Sequence, residues 1–152
     1  MLSYYNIPGV REICHAVKQT EDMTAHKRAV IQMSDYLSRQ GIRQNSVLIP
    51  IPQHTGSAVY TKEIAERIAI ATGAIVADIL KCTPHEALYT QKKQGLKPDP
   101  MLCVDGTIPS TRHIYLVDNV VGTGTTIREA LRLFNRTAEP LVFAIDETGA
   151  GI

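Results

Sequence analysis

The chain has 152 residues and a mass of 16.7 kDa, which fits one domain, since a chain of about 150 residues buries roughly two thirds of its unfolded surface. With 44% hydrophobic and 20% charged residues and a formal net charge of +1, nothing in the composition attracts nucleic acid or an anionic membrane in general, so any anion must be met locally. Cys14, Cys82 and Cys103 are odd in number, far apart and without a CxxC pair, which argues against a disulfide framework and a cysteine zinc site and points to a reducing, cytoplasmic location.

Residues 1–10 lack a basic start followed by an apolar run, and no stretch approaches the roughly 18 apolar residues that span a bilayer, so a soluble, unprocessed chain is expected. Over residues 22–40 the apolar positions Ala29, Val30, Met33, Tyr36 and Leu37 recur at steps of three and four, predicting an amphipathic helix capped by Gly41. Residues 1–45 are therefore read as a helical N-terminal segment. Residues 46–51 (SVLIPI) form a strand closed by Pro52, and Gln53-His54-Thr55-Gly56 leads into a helix carrying Ile64, Ile68 and Ala71 before Gly73. Residues 74–80 (AIVADIL) are the next strand, completing a β-α-β unit with parallel strands.

Residues 81–112 break this rhythm with Pro84, the polar run Gln91-Lys92-Lys93-Gln94-Gly95 and Lys97-Pro98-Asp99-Pro100, and only residues 101–104 look strand-like. A long insertion of this kind is usually functional or mobile. Residues 113–117 and 141–145 are two more strands, and residues 127–135 between them place Ile127, Ala130, Leu131 and Phe134 on one helix face. The expected architecture is α/β: a single domain over residues 1–152, with a mostly parallel central sheet flanked by helices and its core in residues 46–145. The five histidines show no helical ligand spacing, so no structural metal is expected.

The densest chemistry lies in residues 114–126, where an apolar strand runs into Asp118-Asn119 and a Gly/Thr loop opens a helix. At the carboxyl end of a parallel strand, unpaired N–H groups and the helix dipole attract phosphate. Gly122 and Gly124 allow positive φ and close backbone approach, while Thr123, Thr125 and Thr126 add hydroxyl donors. A Walker loop needs a lysine that is absent, and a dinucleotide fingerprint needs a third glycine where Ile127 stands. Asp118 repels phosphate and accepts from neutral hydroxyls, so a sugar diol beside the phosphate suits it.

This strand, acidic step and Thr-Gly-Thr-Thr loop closely resembles the 5-phosphoribosyl-1-pyrophosphate motif of type I phosphoribosyltransferases, a Rossmann-like fold. The Ile49-Pro-Ile-Pro52 strand end looks most like the ComF-like, competence-associated branch, without that branch's N-terminal cysteine zinc module. The resemblance implies that Gly122, Thr123, Gly124, Thr125 and Thr126 hold the 5-phosphate. It places Asp118 and Asn119 at the ribose hydroxyls, and Gln53, His54, Thr55 and Gly56 at the pyrophosphate. Lys92 and Lys93 fall in the mobile catalytic loop, with positive charge for the leaving group. It further implies Mg²⁺ held mainly by substrate, with no protein ligand directly assigned and Asp118 as the candidate, and dimers are common in that family. The ligand class is phosphoribosyl pyrophosphate or a nucleoside monophosphate.

Asn119 departs from the pattern, because the family usually has two adjacent acids there, and Gly122 departs from purine-salvage members that carry Asp at that position. Two functions follow: an enzyme that transfers phosphoribosyl to a nucleobase-like nitrogen with pyrophosphate release, or a catalytically weak regulatory binder linked to DNA uptake or nucleic-acid metabolism. Plainer readings compete at two positions, since Thr55 or Ser57 suits a helix cap and Lys92-Lys93 suits a solvated loop. Tyr4, Tyr5 and Tyr89 suit stacking on a base, although tyrosines are more often core or rim residues.

Overall fold

In the computed structural model, residues 1–107, 112–135 and 137–149 are described. Two of the sequence expectations reach beyond them: the insertion of residues 81–112, at 108–111, and the single domain over residues 1–152, at 108–111, 136 and 150–152.

The elements in chain order are β1 (Leu2–Ser3), α1 (Val10–Lys18), α2 (Met23–Ser38), β2 (Val47–Pro50), α3 (Tyr60–Thr72), β3 (Ile75–Val76), β4 (Leu80–Cys82), α4 (Leu88–Lys93), β5 (Leu102–Val104), β6 (Ile114–Val121), α5 (Thr125–Leu133) and β7 (Ala138–Ile145). Five of the strands form a sheet in the order β1-β7-β6-β2-β3, and every pairing in it is parallel. The α/β expectation therefore holds, and β2-α3-β3 and β6-α5-β7 are both units with adjacent parallel strands. Strand β2 is buried along its whole length, as a parallel strand covered on both faces requires.

Two apolar clusters sandwich the sheet. One packs Val17 of α1, Met33 and Leu37 of α2 and Ile64 and Ile68 of α3 against Leu48 and Val117. The other packs Ile127 and Ala130 of α5 and its C-cap Phe134 against Ile49, Leu116 and Val142. Each such fully buried aliphatic or aromatic side chain contributes roughly 1.5–3 kcal/mol relative to exposure. Asp22 caps α2, its Oδ1 accepting the Ala25 N–H at 3.0 Å, and Gly73 ends α3 at φ 80° as its position suggested.

The structure corrects several boundaries. Helix α2 ends at Ser38 with Arg39 as its cap, and Gly41, at φ 73°, lies in the link beyond. The strand expected over residues 74–80 is split: Ile75–Val76 joins the main sheet, whereas Leu80–Cys82 pairs antiparallel with β5 in a separate ribbon. Asp78 supplies the break, because its carboxylate leaves the apolar run to meet Lys81 Nζ at 2.9 Å and Lys62 Nζ at 3.8 Å. The N-terminal segment is not wholly helical, since Leu2–Ser3 adds an edge strand to β7. Helix α5 starts and ends two residues earlier than expected, and β7 begins at Ala138 rather than at 141.

The insertion is also more ordered than a polar loop. Its run from Gln91 to Lys93 belongs to α4, which Gln91 staples in place. The buried Gln91 amide donates to the Glu86 carbonyl at 2.8 Å and accepts the Asp99 N–H at 2.9 Å. Among the described residues, no helix is long and apolar enough to cross a membrane.

Candidate functional site

Strand β6 is eight residues long and continues through Asp118 and Asn119 to Val121, so the acidic step lies inside the strand instead of ending it. The next three residues form the loop, and α5 begins at Thr125. Gly124 stands at the N-cap with φ 79°, and no side chain caps the helix. The first-turn N–H groups of α5 are consequently left for a ligand, in the place where helix geometry favours an anion. Thr123 and Thr125 share a hydroxyl hydrogen bond at 3.0 Å, and the Arg128 guanidinium donates to the Thr123 carbonyl at 2.9 Å, fixing the loop. Gly122, by contrast, does not adopt a positive φ, and a Cβ built there meets nothing within 4 Å. The need for glycine is at Gly124 alone in this loop.

The loop opens on a cavity of about 810 Å³ whose wall includes Asp118, Thr123, Thr125 and Thr126. That volume lies within the roughly 300–1,000 Å³ usual for small-molecule sites. A second cavity, of about 440 Å³, is lined by Gln53, His54 and Asn119 among others. Lys18, Leu88, Asp118, Val120 and Thr126 border both, so the two hollows meet at Asp118.

Burial raises the Asp118 carboxyl to about 7, against the smaller opposing effects of the Asn119 N–H, donated to its Oδ1 at 2.8 Å, and of the Lys18 charge. The side chain keeps an edge toward the cleft, but the surrounding protein withholds enough water to disfavour its charge. Burial also raises Tyr60, at the start of α3, and Asp118 adds to that shift. The Cys14 thiol is pushed up to about 11, chiefly by burial. Asn119 is only 2% exposed, and its Nδ2 has no hydrogen-bond partner. The amide thus sits within the wall, and the carboxylate beside it is the polar group presented at the junction.

Loop 53–56 is not the cap of α3, because Val59 occupies the N-cap and no side chain bonds there. It is instead zipped to the end of β4 and the segment after it. The Cys82 N–H meets the Gly56 carbonyl at 3.0 Å, the His85 N–H meets the His54 carbonyl at 2.9 Å, and His54 Nδ1 donates to the His85 carbonyl at 3.0 Å. Gly56 has φ 131°, and Thr55 is exposed. Lys92 and Lys93 are exposed on α4 and border the larger cavity, with Lys93 Nζ 5.1 Å from the centre of the Tyr89 ring.

The structure thus brings the Gly/Thr loop, Asp118 and the two lysines to one cavity, and Gln53 and His54 to the adjoining one, whereas Thr55 and Gly56 border neither. Sequence reasoning missed Lys18, His85 and Asp146, which border the same cleft from α1, the insertion and the end of β7. None stands in a motif, and only the folded chain makes them neighbours. The carboxylates on the larger cavity are Asp118 and Asp146, and Oδ1 of Asp146 is already taken by the Thr148 N–H and hydroxyl at 3.0 and 2.6 Å. Among the described residues, no three His, Cys, Asp or Glu side chains converge as a metal cage. A single carboxylate at the junction still fits Mg²⁺, which keeps waters and takes substrate oxygens beside one or two carboxylates.

No protein-family model and no curated protein sequence matches the chain. Solved structures do. Adenine phosphoribosyltransferase from Leishmania donovani aligns over 90% of this chain and 59% of its own, at 15% identity and a TM-score of 0.51. Adenine phosphoribosyltransferase from Trypanosoma brucei, solved with AMP, pyrophosphate and ribose-5-phosphate, aligns over 97% of this chain and 84% of its own, at 13% identity and a TM-score of 0.53. This chain therefore spans under two thirds of the length of the Leishmania enzyme. The likeness supports a type I phosphoribosyltransferase fold.

Proposed function

We propose that the chain is a phosphoribosyltransferase of one domain that binds 5-phosphoribosyl-1-pyrophosphate and transfers phosphoribosyl to a nitrogen of a nucleobase-like acceptor. The observation that carries this reading is the uncapped start of α5, with Gly124 at φ 79°, opening beside Asp118 on a cavity of about 810 Å³. What the Trypanosoma enzyme holds in its crystals is a ligand set of matching chemistry.

In this reading Thr123, Gly124, Thr125 and Thr126, with Gly122, hold the 5-phosphate through backbone N–H and hydroxyl donors. Asp118 accepts from the ribose hydroxyls, with Asn119 beside it in the wall of the adjoining hollow and its Nδ2 left without a partner. The loop Gln53-His54-Thr55-Gly56 takes the pyrophosphate, with Gln53 and His54 on the hollow and Thr55 and Gly56 shaping the turn behind them, and Lys92 and Lys93 bring it positive charge from α4. The acceptor nitrogen's lone pair forms the bond to ribose C1 as the C1–oxygen bond breaks, pyrophosphate leaves with the electrons of that broken bond, and the proton of the acceptor N–H passes to solvent. Orientation of the two reactants and screening of charge supply most of the rate. Mg²⁺, held by Asp118 and substrate oxygens, would neutralise charge on the departing pyrophosphate.

The finer placement in the ComF-like branch is supported by the Ile49-Pro-Ile-Pro52 strand end. A second reading, a ligand-binding regulator, is supported by Asn119, because the usual second acid is an amide buried in the wall. Pyrophosphate release separates the two. Incubation with phosphoribosyl pyrophosphate, Mg²⁺ and a panel of nucleobases should release pyrophosphate with at least one base and be abolished in Asp118→Ala. Saturable binding without release from any base would leave the regulator.

A further inference from the structure

Lys18 closes α1, a helix tied to the body at Val10, Cys14 and Val17, each at most 3% exposed. The Val17 carbonyl accepts from His26 Nδ1 at 2.8 Å, and His26 Nε2 reaches Glu63 at 3.0 Å, so α1, α2 and α3 are locked together just where Lys18 emerges. Its side chain is exposed and borders both cavities. Among the described residues it forms no ion pair, and its charge acts on both Asp118 and Cys14. A strongly hydrated ammonium bordering the place where the two hollows meet gains most from an anionic ligand there.

We propose that Lys18 is a substrate-binding residue of this cleft, contributing from the N-terminal segment a fixed cation for the pyrophosphate end of the ligand. The inference rests on the phosphoribosyl pyrophosphate reading. The 5-phosphate already has the α5 start, and at the junction between the hollows the anionic group within reach is the one carried on ribose C1. Lys18 differs from Lys92 and Lys93 in its anchorage, since its helix belongs to the core and theirs to the insertion.

The test is calorimetric titration of the full chain, as wild type, Lys18→Met and Lys18→Arg, with phosphoribosyl pyrophosphate, inorganic pyrophosphate and ribose 5-phosphate in turn. Loss of one charge-assisted contact should weaken the first two ligands about tenfold in Lys18→Met and leave ribose 5-phosphate within about twofold. Lys18→Arg should restore most of the loss. Unchanged pyrophosphate affinity in Lys18→Met would overturn the proposal, and so would an equal drop for all three ligands, which is the pattern of a general structural defect. A wild-type protein silent toward all three would remove the phosphoribosyl pyrophosphate reading itself and this inference with it.

Discussion

Replacing Asp118 by Asn keeps the side chain's shape and an oxygen to accept the Asn119 N–H, but removes the charge. In the folded chain burial raises this carboxyl from 3.8 to about 7. A carboxyl raised on folding contributes stability that is fully present below its unfolded pKa and is lost as pH rises through the folded one, because the unfolded chain then gives up its proton first. At roughly 1.4 kcal/mol per unit, the whole interval is worth at most about 4 kcal/mol, and the cleft-facing edge of Asp118 reduces this to about 2 kcal/mol. Urea denaturation between about pH 4 and pH 8 should therefore show wild type losing about 2 kcal/mol relative to Asp118→Asn across that window. Subtracting one curve from the other removes the titration of every other group. Parallel curves, or a wild type that gains on the variant as pH rises, would refute the reasoning.

The phosphate loop offers a paired test: Gly124→Ala should cost about 1 kcal/mol in stability, because Gly124 holds φ 79°, whereas Gly122→Ala should change stability by less than about 0.5 kcal/mol, since the added carbon meets nothing. Thermal unfolding of both variants reads the difference, and equal losses would contradict the assigned backbone. Gln91→Ala removes the staple of α4 and should cost about 1–3 kcal/mol locally, seen as faster amide exchange over residues 86–99 with little change in β6. Exchange that rises equally in both regions would show that Gln91 supports the whole fold.

How far the sequence carried the account depended on whether a feature was local. The helices of residues 23–38 and 60–72 were legible because their apolar faces repeat every three to four residues, and Gly73 marked an end where only the left-handed conformation fits. The Gly/Thr loop was legible because its glycines and hydroxyls are contiguous, although sequence gave no means of telling that Gly124 and not Gly122 takes positive φ. Strand β1 was invisible, since two residues have no period and its pairing partner lies at Ala144 and Ile145. The break at Asp78 was hidden by flanking apolar residues and shows only through its contacts with Lys62 and Lys81. Gln91 read as part of a polar loop because burial of an amide depends on backbone groups that the fold supplies from Glu86 and Asp99. Lys18 had no motif around it, and its relevance comes from tertiary packing of α1 alone.

The measurement that bears most directly on the central claim is titration of the protein with phosphoribosyl pyrophosphate, with and without Mg²⁺, repeated on Asp118→Ala and Thr123→Val. Saturable binding to wild type, strengthened by Mg²⁺ and weakened by each substitution at least about tenfold, is the result the account requires. Absence of binding by the wild-type protein, or binding that both substitutions leave unchanged, would contradict it.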